Sequence, residues 1–434
     1  MKVAEPLRIV KYAELSQKER ELLLKRSEVD AGSVLLTVVK IVSDVRRDGD
    51  KALLKYTERF DGVKLDEIRV SEGEIRVALA SLSQDVIKAL KRVAKAIEKF
   101  HKRQMRKEWF IQMAPGVKAG QLVRPIESVG IYVPGGRASY PSTLLMAAIP
   151  AKVAGVKRII VCTPPRKDGK VPPAVLAAAE VAGIKEIYRV GGAQAIAAMA
   201  YGTETVPKVE KIVGPGNVYV AAAKQVVAPD VRIDSIAGPS EVMVLADDSA
   251  NPKFIAADLV AQAEHDPEAA AILVTPSERL AAKVREEARK MVRATPRWKI
   301  VIESFTKYSR IIVVRDLEEG IRFANEYAPE HLEIMVENPR EVLAKINNAG
   351  AVFLGDYSPV AAGDFAVGAN HILPTGGEAK RLSGLSVQDF LKFPTVQELS
   401  KDGLRRLSKV IKLMAETEDL PAHAKSVEVR LGER

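Results

Sequence analysis

Apolar and polar positions along the chain follow two successive rhythms. Through residues 1–110 the apolar positions recur at three- and four-residue spacing, with Val86, Leu90, Val93, Ile97 and Phe100 on one stripe. Ser71, with Glu74 three positions on, has the pattern of a capping box. This region reads as helical. After "APG" at 114–116 short apolar runs alternate with alanine-rich segments. Strands are predicted near 128–133, 157–162, 185–190 and 209–213, and helices near 141–153, 173–182, 192–201 and 217–227. Such alternation builds a parallel sheet, because each helix returns the chain to the edge where the next strand starts.

A second α/β block begins at 241. "EVMVLAD", "AAILVT", "RIIVV" and "HLEIMV" read as strands, separated by helices near 251–264, 277–293, 316–327 and 338–348. Beyond about 382 the chain reads as mostly helical. "AGVKRIIVCTPP" and "AGIKEIYRVGGA" begin 28 residues apart, the length of one helix and one strand. They read as successive windings of one sheet rather than as a solenoid.

With 434 residues, 47% of them apolar, the chain can form two to four domains with real cores. The longest stretches without a charged residue, 138–151 and 190–203, are 14 residues each, too short to span a bilayer. The start lacks the apolar core of a leader peptide, and a lone cysteine fits a reducing, cytoplasmic setting. The net charge of +10 raises the question of nucleic acid. Basic residues are interleaved with acidic ones, as in "REEARK", which is the pattern of a solvated helix face. No nucleic-acid or membrane partner is expected.

Several segments carry candidate chemistry. "VGPGNVYV" places Gly214, Pro215, Gly216 and Asn217 between a strand and a helix, where free backbone N–H groups can hold an anion. Tyr219 stands where a dinucleotide fingerprint has its third glycine, so a plain tight turn is an equal reading. "IYVPGGRASYPSTLLM" and "RVGGAQAIAAMAYG" bring Gly-Gly pairs to two more strand ends, and the three together point to a nucleotide-type site at the carboxyl edge of the sheet. "AQAEHDP" sets Gln262 and His265 one turn apart, either as metal ligands or as a polar patch at a helix end. "SPVAAGDFAVGANHILPTGG" (358–377) holds Asp364, Asn370 and His371 in an almost uncharged stretch. Such a loop should be largely covered, and a covered carboxylate needs a metal or cation, unless it closes an Asx turn. "NEYAPEHLEIM" puts Glu330 beside His331 behind a proline, as an acid–base pair or an ordinary polar loop. Cys162 reads as core packing, and His101 as solvated surface on a basic helix face.

Together with "AGPSEVMVLAD" and "PAHAKSV", these motifs resemble, in order, those of the histidinol dehydrogenase family, from near residue 30 to the C-terminus. The resemblance implies NAD-dependent oxidation of L-histidinol to L-histidine through bound L-histidinaldehyde, the last step of histidine biosynthesis. It implies one zinc per site and a homodimer with incomplete Rossmann-like domains that lack the usual glycine fingerprint. By motif, Gln262, His265, Asp364 and His423 match the zinc ligands, and Glu330 and His331 the catalytic pair. The substrate-binding set is Ser240, Gln262, His265, His331, Asp364, His371, Glu418 and His423, with Tyr132, Gln194 and Asn217 at NAD-binding positions. Glu418 and His423 are expected to reach the partner's site.

The expected fold is therefore α/β, two incomplete Rossmann-like parallel-sheet domains with helical N- and C-terminal extensions. Its expected division is 1–26 as N-terminal extension, 27–131 with 241–382 as the metal, substrate and catalytic domain, 132–240 as the NAD domain, and 383–434 as the dimer-forming extension. Neutral His331 suits removal of the alcohol proton, and Glu330 suits activation of water on the aldehyde. A thiol-dependent aldehyde dehydrogenase would have to use Cys162, a zinc hydrolase would need no nicotinamide site, and an RNA-binding protein would need a basic surface.

Overall fold

The structure, a computed structural model, describes residues 6–26, 31–135, 139–236 and 238–432. A five-stranded parallel sheet runs in the order Glu186–Tyr188, Arg158–Cys162, Ser128–Tyr132, Lys211–Val213, Arg232–Ile233. The chain winds outward from Ser128–Tyr132 in both directions, so the strand order reverses between it and Lys211–Val213. Open α/β sheets bind ligands at such a crevice. The two similar segments are indeed neighbours, with Ile160 opposite Glu186 and Cys162 opposite Tyr188. The strands are buried on both faces, and alternation divides them: Val129, Ile131 and Val161 face one core, Ile160, Cys162 and Ile212 the other. Helices Pro141–Ala154, Pro173–Ala182, Gly192–Tyr201 and Val218–Val227 fall where the alanine-rich segments predict them. Left-handed Gly155 and Gly183 end the first two.

A six-stranded parallel sheet has the order Arg8–Lys11, Arg310–Val313, Ala270–Thr275, Glu241–Ala246, His331–Met335, Ala351–Leu354. Its inner strands are the four apolar runs of the second block. Both edge strands differ from the sequence reading. Arg8–Lys11, in the region read as helical, is too short to show a period, and its conformation follows from pairing with Arg310–Val313. Ala351–Leu354 pairs with His331–Met335, while the helix expected over 338–348 is only Pro339–Leu343. Helix Trp298–Lys307 was not foreseen either.

Helices Ala31–Asp48, Asp50–Asp61, Glu72–Ala80 and Gln84–Lys102 bear out the helical reading, including the Ser71–Glu74 capping box. They pack on the five-stranded sheet, and Gln84–Lys102 also packs on the 241–382 segment, against Gly363–Val367 and Gly368. Val38, Ile41 and Val45 share a core with Ile196 and Ala222, and Ile75 and Ile97 share one with Val129 and Leu145. The reason is that Gly192–Tyr201 is buried at every position from Ala193 to Ala200. A helix apolar on all sides needs cover on its outer side too. The boundary at 131/132 also falls inside strand Ser128–Tyr132, which is central to the five-stranded sheet.

The C-terminal region is not helical throughout. Thr395–Leu399 joins the hairpin Trp109–Ala114/Val117–Gln121 in an antiparallel sheet before helices Lys401–Thr417 and Pro421–Leu431. Trp109, Phe110, Ile111 and Met113 on the hairpin, and Val410, Leu413, Met414 and Val429 on the helices, are exposed. Among the described residues no helix is long and apolar enough to cross a membrane.

Candidate active site

Helix Leu317–Tyr327 ends on left-handed Ala328, and Pro329 then turns the chain into strand His331–Met335. Glu330 is held at that turn because Gly350 lies against it; a Cβ there would sit 2.6 Å from the Glu330 carbonyl oxygen. The parallel register sets Val242 opposite His331, so Glu241, which opens its own strand, stands beside Glu330. The Glu241 N–H donates to Glu330 Oε2 (2.8 Å), and the Glu330 N–H donates to Glu241 Oε1 (3.1 Å). His331 Nδ1 lies 2.9 Å from the Glu241 carbonyl oxygen. A carbonyl only accepts, so Nδ1 carries the proton and Nε2 keeps a free lone pair.

That Nε2 is buried without a hydrogen-bond partner and lies 3.9 Å from Asp364 Oδ1. Burial lowers the imidazole to about 4, so it is neutral near pH 7. Burial also drives the Glu330 carboxyl well above its ordinary range, opposed by the Glu241 N–H, helped by the charges of Glu241 and Asp364, and opposed again, more weakly, by a Ser240 hydrogen bond. Asp364 sits on a π-turn, Gly363–Val367, with its carboxyl raised to about 6 by burial. His371 Nδ1 approaches the Asp364 carbonyl oxygen (3.1 Å), its Nε2 faces Thr143 Oγ1 (3.3 Å), and burial lowers it to about 4. His331, Phe353, Asp364, Asn370 and His371 line a cavity of about 280 Å³.

Gln262 is buried in helix Pro252–Ala263 with its amide Nε2 unpartnered. His265 follows one turn later, its N–H donating to the Gln262 carbonyl oxygen (3.2 Å). It keeps an exposed edge, while the protein around its ring lowers the imidazole. A charge on it would oppose one on His331 or His371, so these three rings share one region. Among the described residues no three His, Cys, Asp or Glu side chains form a ready metal cluster.

The glycine-bearing strand ends meet as expected. The Tyr132 hydroxyl accepts the Gly192 N–H (3.1 Å), and burial raises this phenol to about 12. Gly214 lies so close to Tyr132 that a Cβ would fall 2.1 Å from its carbonyl oxygen. Buried Lys224 holds that turn through the Gly214 carbonyl and Asp234 (both 2.5 Å). Asn217 caps the following helix, accepting from Tyr219 N–H (3.1 Å) and Val220 N–H (3.2 Å), and Gln194 is buried in the first turn of its own helix.

The remaining expectations divide. Glu418 and His423 are exposed on the C-terminal helices, and His423's helix packs on Lys401–Thr417 rather than on the site. The 358–377 loop is covered around Asn370–Thr375, but Phe365 and Val367 are exposed. Cys162 is buried as expected, which pushes its thiol up and leaves it unreactive. His101 is not solvated surface. It lies four residues after Ile97 on the buried side of its helix, with Nδ1 2.7 Å from Gln104 Oε1. Sequence reasoning missed Glu241 and Thr143. A glutamate opening a fully apolar strand was the available signal for Glu241, and nothing local marked Thr143.

Two parallel sheets with a buried carboxylate–imidazole pair at the opening of one strand define the class: an α/β enzyme equipped for proton transfer. The chain belongs to the histidinol dehydrogenase family, whose model matches residues 24–431. It is similar to the histidinol dehydrogenase of Methanothermobacter thermautotrophicus, with 52% identity over 98% of this chain and 99% of that one. It is 48% identical to that of Clostridium acetobutylicum, over 98% and 99%. The crystal structure of histidinol dehydrogenase from Elizabethkingia anophelis superposes with a TM-score of 0.93 at 43% identity, covering 98% of each chain.

The proton inventory can be read directly. In metal-free protein the ring signals of His331 and His371 should stay in their neutral form from pH 8 to 5.5 and titrate near 4. Both values lie below the unfolded value of about 6.5, so the unfolded chain takes up these protons first. Their contribution to stability is whole above that value and is lost as the pH falls through about 4. Ring signals titrating at the ordinary value would contradict the burial argument.

Proposed function

We propose that this protein oxidises L-histidinol to L-histidine with NAD in two steps at one site, through bound L-histidinaldehyde, as the last step of histidine biosynthesis in the cytoplasm. The observation that carries this reading is the free, neutral Nε2 of His331 beside the buried carboxyl of Glu330, both held by Glu241. In the first step His331 Nε2 takes the hydroxyl proton as hydride leaves the carbinol carbon. In the second, Glu330 in its carboxylate form takes a proton from the water that adds to the aldehyde. NAD, when bound, accepts one hydride at each oxidation. The crevice beside Tyr132, Gln194 and Asn217 supports its placement on the five-stranded unit, with substrate on the six-stranded one.

Zinc fits the residues in part. The amide oxygen of Gln262, the imidazole of His265 and largely buried Asp364 are three donors of the right kinds, and their chemistry suits a metal that positions the substrate's imidazole and amine. His331 and His371 are taken by proton transfer and substrate in this reading, and His423 of the same chain lies exposed on the C-terminal helices. We therefore propose a homodimer in which a second copy supplies His423 as ligand, with Glu418 and His371 completing the substrate contacts alongside Ser240. Exposed Phe365, Val367, Leu413 and Met414 supply apolar surface for such a contact.

Two NADH should form per histidinol consumed, with little aldehyde released, when absorbance and product are followed together. One NADH per histidinol with aldehyde accumulating in the medium would defeat the two-step reading.

Subunit mixing tests the shared site. His265→Asn and His423→Asn should each be inactive alone, yet random re-association should restore roughly a quarter of wild-type activity, because one site of each mixed dimer is intact. Verified mixed dimers without activity would rule out donation between subunits.

A further inference from the structure

Glu241 reaches the Glu330–His331 pair through its N–H, its carbonyl and its carboxylate, and that carboxylate is itself buried, with 2% side-chain exposure. An unpaired carboxylate so placed would neutralise itself by binding a proton. Its counter-ion comes from the N-terminal part of the chain. Arg26, its side chain 3% exposed, places Nε 3.1 Å from Glu241 Oε2. The same guanidinium stacks 3.5 Å from the centre of the Tyr327 ring and donates to the Tyr327 carbonyl oxygen. The Tyr327 hydroxyl in turn lies 3.4 Å from Glu241 Oε2.

This places one cation against both supports of the catalytic turn. Tyr327 is the last residue of the helix before that turn, and Glu241 opens the strand beside it; Glu330 hangs between them. Arg26 itself follows helix Gln17–Lys25 with φ of 54°, a backbone state costly for a residue with a side chain. Leu23 and Leu24 of that helix pack against the core beneath Phe323 and Tyr327. The N-terminal segment is thus tied to the site as well as to the sheet edge.

We propose that the buried Arg26–Glu241 ion pair is a positioning device that holds Glu330 and His331 in their catalytic arrangement. This rests on the proposed roles of those two residues. Glu241 and Arg26 do not exchange protons with substrate; they fix where the residues that do are held. A carboxylate accepts the Glu330 N–H more strongly than a neutral acid would. The planar guanidinium can meet Glu241 and stack on Tyr327 together, which an ammonium group cannot do.

The test uses full-length, zinc-loaded protein with histidinol and NAD, comparing wild type with Arg26→Met, Arg26→Lys, Arg26→Ala and Glu241→Gln. Arg26→Met and Glu241→Gln should lose roughly a hundredfold in kcat, the loss that a displacement of about 1 Å brings. KM for histidinol and NAD should stay within about twofold of wild type. Arg26→Lys should keep about tenfold more activity than Arg26→Met, since it retains the charge without the planar group that stacks on Tyr327. Methylguanidinium at non-denaturing concentration should restore part of the kcat of Arg26→Ala, which keeps the test decisive if Arg26→Met folds poorly. Wild-type kcat in Arg26→Met, or losses shared by kcat and KM with no rescue of Arg26→Ala, would overturn the positioning role while leaving the overall reaction standing. A wild-type protein that does not turn over histidinol would overturn both, because the pair would then have no such reaction to position.

Discussion

Glu330 and Glu241 are both buried, and the backbone N–H of each donates to the carboxyl of the other. The site depends on this reciprocal pairing at the openings of two neighbouring parallel strands. It requires the register that sets Val242 opposite His331, because a shift by one residue would turn every side chain to the opposite face. The register is in turn held by cores on both faces of the six-stranded sheet, where Val242 and Val244 pack on one side and Met243 and Leu245 on the other. The packing of the sheet therefore decides where Glu330 and His331 stand.

Burial then sets their chemistry. The same exclusion of water pushes the carboxyl of Glu330 up and the imidazole of His331 down. Adjacent residues thereby acquire complementary proton affinities in one environment. The Glu241 carbonyl fixes the tautomer of His331, leaving its free nitrogen towards Asp364. The glycine-rich crevice of the other sheet follows a similar economy, with Lys224 and Asp234 holding Gly214 against Tyr132. In both places a buried ion pair sits against backbone at a strand end.

Much of this was legible from residues alone. The two rhythms of apolar positions located the inner strands of both parallel sheets, and the order of short motifs located Glu330, His331, Asp364 and His371, which the structure brings together. What escaped was set by long-range contact. Arg8–Lys11 is a strand because of a partner some 300 residues away, a pairing with no local signal. His101 reads as surface among lysines, yet its position after Ile97 turns it inward. Helices Ala31–Asp48 to Gln84–Lys102 carry amphipathic stripes that fit either sheet, and only the all-round apolar character of Gly192–Tyr201 decides between them. Glu241 lay hidden at the head of an apolar run, where its burial and its contacts could not be read.

The central claim is that one buried pair divides two proton transfers, His331 serving the alcohol and Glu330 the aldehyde. It is tested most directly by measuring the two half-reactions separately, with histidinol and with supplied histidinaldehyde, in His331→Asn and Glu330→Gln. The account predicts that His331→Asn loses roughly two to four orders of magnitude in alcohol oxidation while sparing much of aldehyde oxidation, and that Glu330→Gln does the reverse. Near-equal losses in both half-reactions for both substitutions would contradict it.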